Sequence, residues 1–264
     1  MGALLFKDHI SHLRAIRRAA LRAADPAQAV ERHLRLSRSA LHAGPHRIPL
    51  EPSARIWLVG LGKAAPAMSA AAAEILGGRL SAGVVTVPKH GTQAPSDPLL
   101  RHEGRAEAAS MSRSRTQGER EAASGPAPPG VQFIQSEHPT PGPGSLRAAH
   151  AAATMLAQAR DGDLLLALIS GGGSALIELP LPGVRLSDLQ ALTRQLLASG
   201  AAIGEINRVR RALSQIKAGG LARLAAARSN CISWELRSIS WLSRSTIGSV
   251  LPSRKRHRSA IIAR

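Results

Sequence analysis

The segment Asp-Leu-Leu-Leu-Ala-Leu-Ile-Ser-Gly-Gly-Gly-Ser-Ala-Leu at positions 163–176 constrains the fold more than any other part of this chain. Six consecutive apolar residues, Leu164 to Ile169, follow the turn signal Asp161-Gly162-Asp163 and are too few for a free-standing helix, so they predict a strand buried on both faces. Ser170 ends it. Gly171, Gly172 and Gly173 allow a tight bend and close approach of backbone N–H groups to an anion. A glycine turn at the carboxyl end of a buried parallel strand is where open α/β sheets bind ligands. A plain flexible connection between packed elements is the competing reading.

A second strand–turn–helix unit lies upstream. Arg55 to Val59 predicts a short strand, Gly60-Leu61-Gly62-Lys63 the turn, and the alanine-rich run up to Gly77-Gly78 a helix. The arrangement resembles the opening of a dinucleotide-binding fold, with Ala65 in the place of the third glycine. A nicotinamide site wants an acid about 20 residues on, to hold the ribose hydroxyls. The next strand, Val84 to Val87, leads instead into Pro88-Lys89. Gly60, Gly62 and Lys63 therefore read as a phosphate or carboxylate site at a helix N-terminus, where amides and the helix dipole favour negative charge, with Lys63 as a plain surface lysine the alternative.

The flanking segments supply scaffold. Apolar residues recur at helical spacing over 4–24, with arginines between them, and Asp25-Pro26 starts a second helix expected to run to about His42. Residues 92–130 show no sustained apolar period and predict a mobile insertion. Val131 to Ile134 predicts another strand, and Ser145 a capped helix to about Arg160. His138, at the end of that strand, is a candidate ligand contact, with a satisfied structural histidine as the alternative. Ser187 caps a further helix with Leu189, Leu192, Leu196 and Leu197 on its buried side. Asn207, Arg210, Ser214 and Lys217 share one face if residues 203–217 are helical; that face offers donors and positive charge to an anionic substrate, or is simply solvated.

Composition narrows the partners. The net charge of +18 would raise nucleic acid as a partner, but Tyr is absent and only two Phe are present, so stacking platforms for single strands are missing. One cysteine, Cys231, allows no intrachain disulfide and fits a reducing cytoplasm. No apolar run reaches membrane-span length.

Four motifs carry a family resemblance. Gly60-Leu61-Gly62-Lys63-Ala64, Ile169-Ser170-Gly171-Gly172-Gly173-Ser174-Ala175-Leu176, Ser199-Gly200-Ala201 and the run from Glu205 to Lys217 together resemble the N-terminal domain of the glycerate 2-kinases, also called the MOFRL or hydroxypyruvate-reductase-like glycerate kinases. The resemblance covers roughly residues 4–227. Ala212 and Ala218 depart from it, standing where the family usually has His and Gly, and residues 92–130 match none of its motifs.

The resemblance implies an α/β fold: a Rossmann-like, mostly parallel sheet with helices on both faces, preceded by two N-terminal helices. It implies ATP-dependent phosphorylation of the 2-hydroxyl of D-glycerate, with magnesium, in a cleft against a second, C-terminal domain. By analogy Lys63 is the main catalytic cation, and Gly171, Gly172, Gly173 and the serines beside them, Ser170 and Ser174, cradle phosphate or carboxylate together with Gly60 and Gly62. His138, Asn207, Arg210 and Lys217 are the expected substrate contacts. No carboxylate stands out as a magnesium ligand.

Residues 228–264 break the pattern. They hold the only Cys, two of the three Trp, eight Lys or Arg and one acid, a net +7 that leaves +11 for residues 1–227. The expectation is an α/β domain over 1–227 followed by an atypical basic tail, read out of frame, with the second domain missing and activity weak. Two alternatives stay open: a non-catalytic module whose Arg254-Lys255-Arg256-His257-Arg258 run binds an anionic surface, and an NAD(P)-dependent hydroxypyruvate reductase.

Overall fold

A computed structural model describes residues 9–89 and 127–226, together with the backbone of residues 232–237 and 261–262. Most of the 92–130 segment and the Arg254–Arg258 run lie outside the described residues. The chain opens with helices α1 (Ile10–Ala23) and α2 (Pro26–His33). Asp25 caps α2 by accepting hydrogen bonds from the Ala27 and Gln28 amides at 2.9 and 3.2 Å.

α2 stops at His33, nine residues short of the predicted end. Residues 34–49 form an antiparallel meander of β1 (Leu34–Leu36), β2 (Ala40–Ala43) and β3 (His46–Pro49). The period there is two. Leu34, Leu41 and Ile48 are buried while Arg35 and Arg47 are exposed, and that alternation outweighs the helical propensity of the leucines and arginines.

The centre is a six-stranded parallel sheet of β4 (Ile56–Leu61), β5 (Leu80–Pro88), β6 (Val131–Ser136), β7 (Leu164–Ile169), β8 (Ile232–Arg237) and β9 (Ile261–Ile262). Their spatial order is β6-β5-β4-β7-β8-β9. Numbered from its own first strand this is 3-2-1-4-5-6, the doubly wound order whose direction reverses between the first and fourth strands. β4 and β7 pair from Ile56↔Leu164 to Leu61↔Ile169, so their carboxyl ends finish level.

Both central strands are flanked on each side, which is why they carry almost unbroken apolar sequence. Alternate residues enter opposite layers. Ile56, Leu58, Leu164, Leu166 and Leu168 pack with Met68, Ala72 and Leu76 of α3 (Ala65–Leu76) and with the N-terminal meander. Trp57, Val59, Leu61 and Leu165 pack with Ala148, Ala152 and Leu156 of α4 (Pro143–Leu156). Helices therefore cover both faces, as the resemblance implied. The cap of α4 is Gly142, whose amide donates to Ser145 Oγ at 3.2 Å, so Ser145 acts from the first turn rather than at the cap.

Beyond β7 come a one-turn helix α5 (Gly173–Leu176), α6 (Leu186–Ala198), α7 (Ile203–Ala212) and α8 (Gly220–Ala226). Arg185, not Ser187, precedes α6, with Asp188 accepting back from its amide and guanidinium, and Leu197 is exposed. α7 ends five residues before Lys217. The chain then turns, and Ser214 forms an isolated antiparallel bridge with Pro180: Gln215 N donates to the Leu179 carbonyl at 2.7 Å, and Leu181 N to the Leu213 carbonyl at 3.0 Å. These inter-segment bonds replace the helical ladder, so Ser214 and Lys217 do not share a helix face with Arg210. Among the described residues, no helix is long and apolar enough to cross a membrane.

Candidate functional site

The loops after β4 and β7 meet at the reversal point of the sheet and are stitched to one another. Ser170 N donates to the Leu61 carbonyl at 2.8 Å, Lys63 N to the Gly171 carbonyl at 2.9 Å, and Ala64 N to Ser170 Oγ at 3.0 Å. The glycines make this seam possible. Gly62 has φ +118, and a Cβ there would overlap Ser170; a Cβ on Gly173 would press on the Leu61 backbone at 3.2 Å.

This geometry changes the role of the first turn. The Gly62, Lys63, Ala64 and Ala65 amides all donate within the protein, to Thr86 Oγ1, the Gly171 carbonyl, Ser170 Oγ and the Gly62 carbonyl respectively. Pro66, next in line, has no N–H. The start of α3 is thus not an open anion cradle, and Gly60, Gly62, Ser170 and Gly173 build the wall of the site rather than its lining. A Cβ on Gly60 would come within 2.5 Å of Ser69 Oγ, which accounts for that glycine by packing alone.

The second turn faces outward. A Cβ on Gly171 would meet nothing within 4 Å, and one on Gly172 would lie 3.3 Å from His138 Nε2 and 3.5 Å from Lys63 Cγ. Gly172 is left-handed, φ +86. The Gly171 and Gly172 amides make no hydrogen bond among the described residues. Lys63 is exposed, and His138 extends from the loop after β6 over the same turn.

Arg210, from α7, closes the group. Its Nη2 donates to the Ser174 carbonyl at 3.1 Å, while its Nε is buried without a partner, as is Ser174 Oγ. Partial desolvation, then the nearby Lys63 and Arg210 charges, lower the pKa of the exposed His138, so its imidazole is held neutral more strongly than a free histidine. Burial likewise lowers the Arg210 pKa, with Glu178 opposing. Three ion pairs occur among the described residues, and neither Lys63 nor Arg210 belongs to one. Two cations, a neutral imidazole, a serine hydroxyl and two open amides therefore converge, neither cation is ion-paired among the described residues, and Ser174 Oγ and Arg210 Nε have no hydrogen-bond partner. Such a set of donors and charges suits an anion chemically.

Asn207 is buried one turn before Arg210 on α7. Lys217 is 2 % exposed and 2.8 Å from Glu178, with Nζ also donating to the Ile177 carbonyl at 3.0 Å, so this expected substrate contact is an internal group. Glu178 escaped the sequence reading. The signal was there: a lone acid inside the run Ile177-Glu178-Leu179 is too costly to bury without a cation. No group of three or more His, Cys, Asp or Glu side chains able to hold a metal occurs among the described residues.

A parallel α/β domain with cations and free amides gathered at its reversal point is a common class, and similarity to known proteins narrows it. The protein-family pattern described as "Domain of unknown function (DUF4147)" matches residues 12–236. A glycerate kinase of Danio rerio is 38% identical over 213 residues, covering 81% of this chain and 38% of that protein. A D-glycerate 2-kinase of Thermotoga maritima is 34% identical over 168 residues, covering 64% and 33%. Among solved structures, a Pyrococcus horikoshii protein superposes with a TM-score of 0.67 at 28% identity, over 97% of this chain and 49% of that one. A glycerate kinase of Thermotoga maritima shares the fold, with a TM-score of 0.59 at 24% identity over 93% and 56%. The chain belongs to the DUF4147 family, and its relatives are the glycerate 2-kinases that the four motifs indicated. It spans about a third of the length of the curated relatives it matches.

Proposed function

We propose that this domain carries the phosphate-binding half of an ATP-dependent kinase that phosphorylates D-glycerate to 2-phosphoglycerate. The observation that carries the reading is the convergence of Lys63, His138, Arg210 and the Gly171–Gly172 amides on one turn with no carboxylate paired to either cation. Phosphoryl transfer asks for positioning and for positive charge around three spreading oxygens more than for covalent chemistry. ATP supplies the transferred γ-phosphoryl group. Lys63, on an exposed turn, is the mobile cation that follows this charge, and Arg210, half-buried, is the fixed one. The outward amides and Ser174 Oγ orient the anion, and His138, kept neutral, accepts a hydrogen bond from a hydroxyl. Asn207 contributes from behind Arg210.

Magnesium fits less well: the described residues offer no group of three or more ligands that would hold it. The substrate on this reading is a small molecule, as for the glycerate kinase relatives, and a reducing, cytoplasmic setting agrees with the single cysteine. The test is calorimetric titration of the chain with ATP and with D-glycerate, beside an assay of ATP-dependent glycerate phosphorylation. Lys63→Ala, which leaves the packed seam untouched, should lower nucleotide affinity with the fold intact. Undiminished ATP binding and turnover in that variant would remove Lys63 from the site.

A further inference from the structure

The turn that faces the ligand space is open, but the chain leaving it is held from three directions. Arg210 of α7 donates to the Ser174 carbonyl at 3.1 Å, Ser145 of α4 donates through Oγ to the Ala175 carbonyl at 2.9 Å, and Lys217 donates to the Ile177 carbonyl at 3.0 Å. The next residue, Glu178, is anchored by its amide to the Ser145 carbonyl at 3.1 Å and by its carboxylate to Lys217 at 2.8 Å. Both members of that pair are buried, at 2 and 3 % exposure.

We propose that the Glu178–Lys217 pair is a positioning device: it fixes the exit of the Gly171–Gly173 turn and, through it, the place of the Arg210 guanidinium in the anion site. A buried ion pair is a poor source of stability, since the two desolvation costs roughly cancel the attraction, and an apolar pair of the same size often folds as well. What it supplies is geometry. Lys217 holds one carbonyl and one carboxylate on adjacent residues, so the segment from Ser174 to Glu178 cannot slide without breaking both. Arg210 is bound to the start of that segment, it feels the Glu178 charge, and its own charge is felt by His138.

The role of Arg210 as an anion contact rests on the kinase reading; its placement by the pair does not. The test uses the full chain with Glu178→Leu/Lys217→Met, with Glu178→Gln/Lys217→Met, which also removes both charges, as a second variant should the first not fold. Inorganic pyrophosphate affinity is measured by calorimetry, and the His138 imidazole titration by NMR, its resonance assigned with His138→Gln. The expected result is a melting temperature within about 5 °C of the parent, with pyrophosphate bound about tenfold more weakly, the worth of one charge-assisted hydrogen bond. His138 should titrate closer to an ordinary histidine, because Arg210 has moved away. The pair itself is neutral, so its removal alters His138 chiefly through Arg210. Arg210→Gln should reproduce the same His138 change. Unchanged pyrophosphate affinity together with an unchanged His138 titration in a folded pair variant would overturn the proposal. If the parent chain binds no pyrophosphate, the kinase reading fails, and the His138 titration alone still decides whether the pair places Arg210.

Discussion

The two ends of the central strand pair β4 and β7 treat charge in opposite ways. At the amino end, Asp163 is 3 % exposed and fully engaged. It accepts from the Arg55 amide at 3.0 Å and guanidinium at 2.8 Å, from Trp57 Nε1 at 2.9 Å and from the Arg160 amide at 2.8 Å. Arg55 also lies over the Trp57 ring, 4.9 Å from its centroid. At the carboxyl end, Lys63 and Arg210 have no acid paired to them and two buried donors wait for partners. The same two strands run between a closed network and an open one. A satisfied end stabilises; an unsatisfied end is held in place by the rest of the fold.

The strongest way to break this contrast is to damage the closed end. Asp163→Ala leaves Arg55 and Trp57 Nε1 without their acceptor and should cost about 3–5 kcal/mol in urea unfolding, with nucleotide affinity of the folded fraction unchanged. A large affinity loss would mean the two ends are not independent. Gly62→Ala, at φ +118 against Ser170, should cost about 2–4 kcal/mol by prying the two loops apart, and here affinity should fall as well. Lys63→Ala should do the reverse of Asp163→Ala: stability within about 0.5 kcal/mol, but nucleotide-dependent activity down about a hundredfold.

The closed end also predicts a pH dependence. Burial raises the Asp163 pKa, but the hydrogen bonds from Arg55, Arg160 and Trp57 outweigh it and hold the carboxyl below its ordinary 3.8. A depressed acid binds fewer protons in the folded state. Its stabilisation is therefore present at pH values above the unfolded pKa and is lost as pH falls through the folded one. Urea midpoints should stay level on this account from pH 7 to about 4 and then fall, and Asp163→Asn should flatten that fall. The smallest expected effect is Gly171→Ala: with nothing within 4 Å of the new methyl, stability should change by less than about 0.5 kcal/mol. A larger loss would show that the turn is packed rather than open.

The central strands and both glycine turns were legible because burial on two faces writes an unbroken apolar run, and a tight turn writes glycine. The meander at 34–49 was not, because Leu34 to His42 satisfies a helical spacing as readily as an alternating one. What tips the choice is the sheet core into which Leu41 and Ile48 fit. The ligand role of Lys217 failed for a related reason. Three- and four-residue steps predict a shared face only while the helix lasts, and α7 ends at Ala212, where residues 213–215 bond to 179–181 instead.

By itself the sequence determined the class of fold and singled out residues that the structure brings together around the turn after β7: Lys63, His138, Gly171, Gly172, Ser174 and Arg210. Local preference and hydrophobic period act along the chain, and they are read there. Only the tertiary structure decided which glycines line the site and which join its two walls, and that Lys217 faces Glu178 rather than a ligand. Those outcomes depend on which donors find partners across loops a hundred residues apart, a quantity that no stretch of sequence contains until the sheet has brought the loops together.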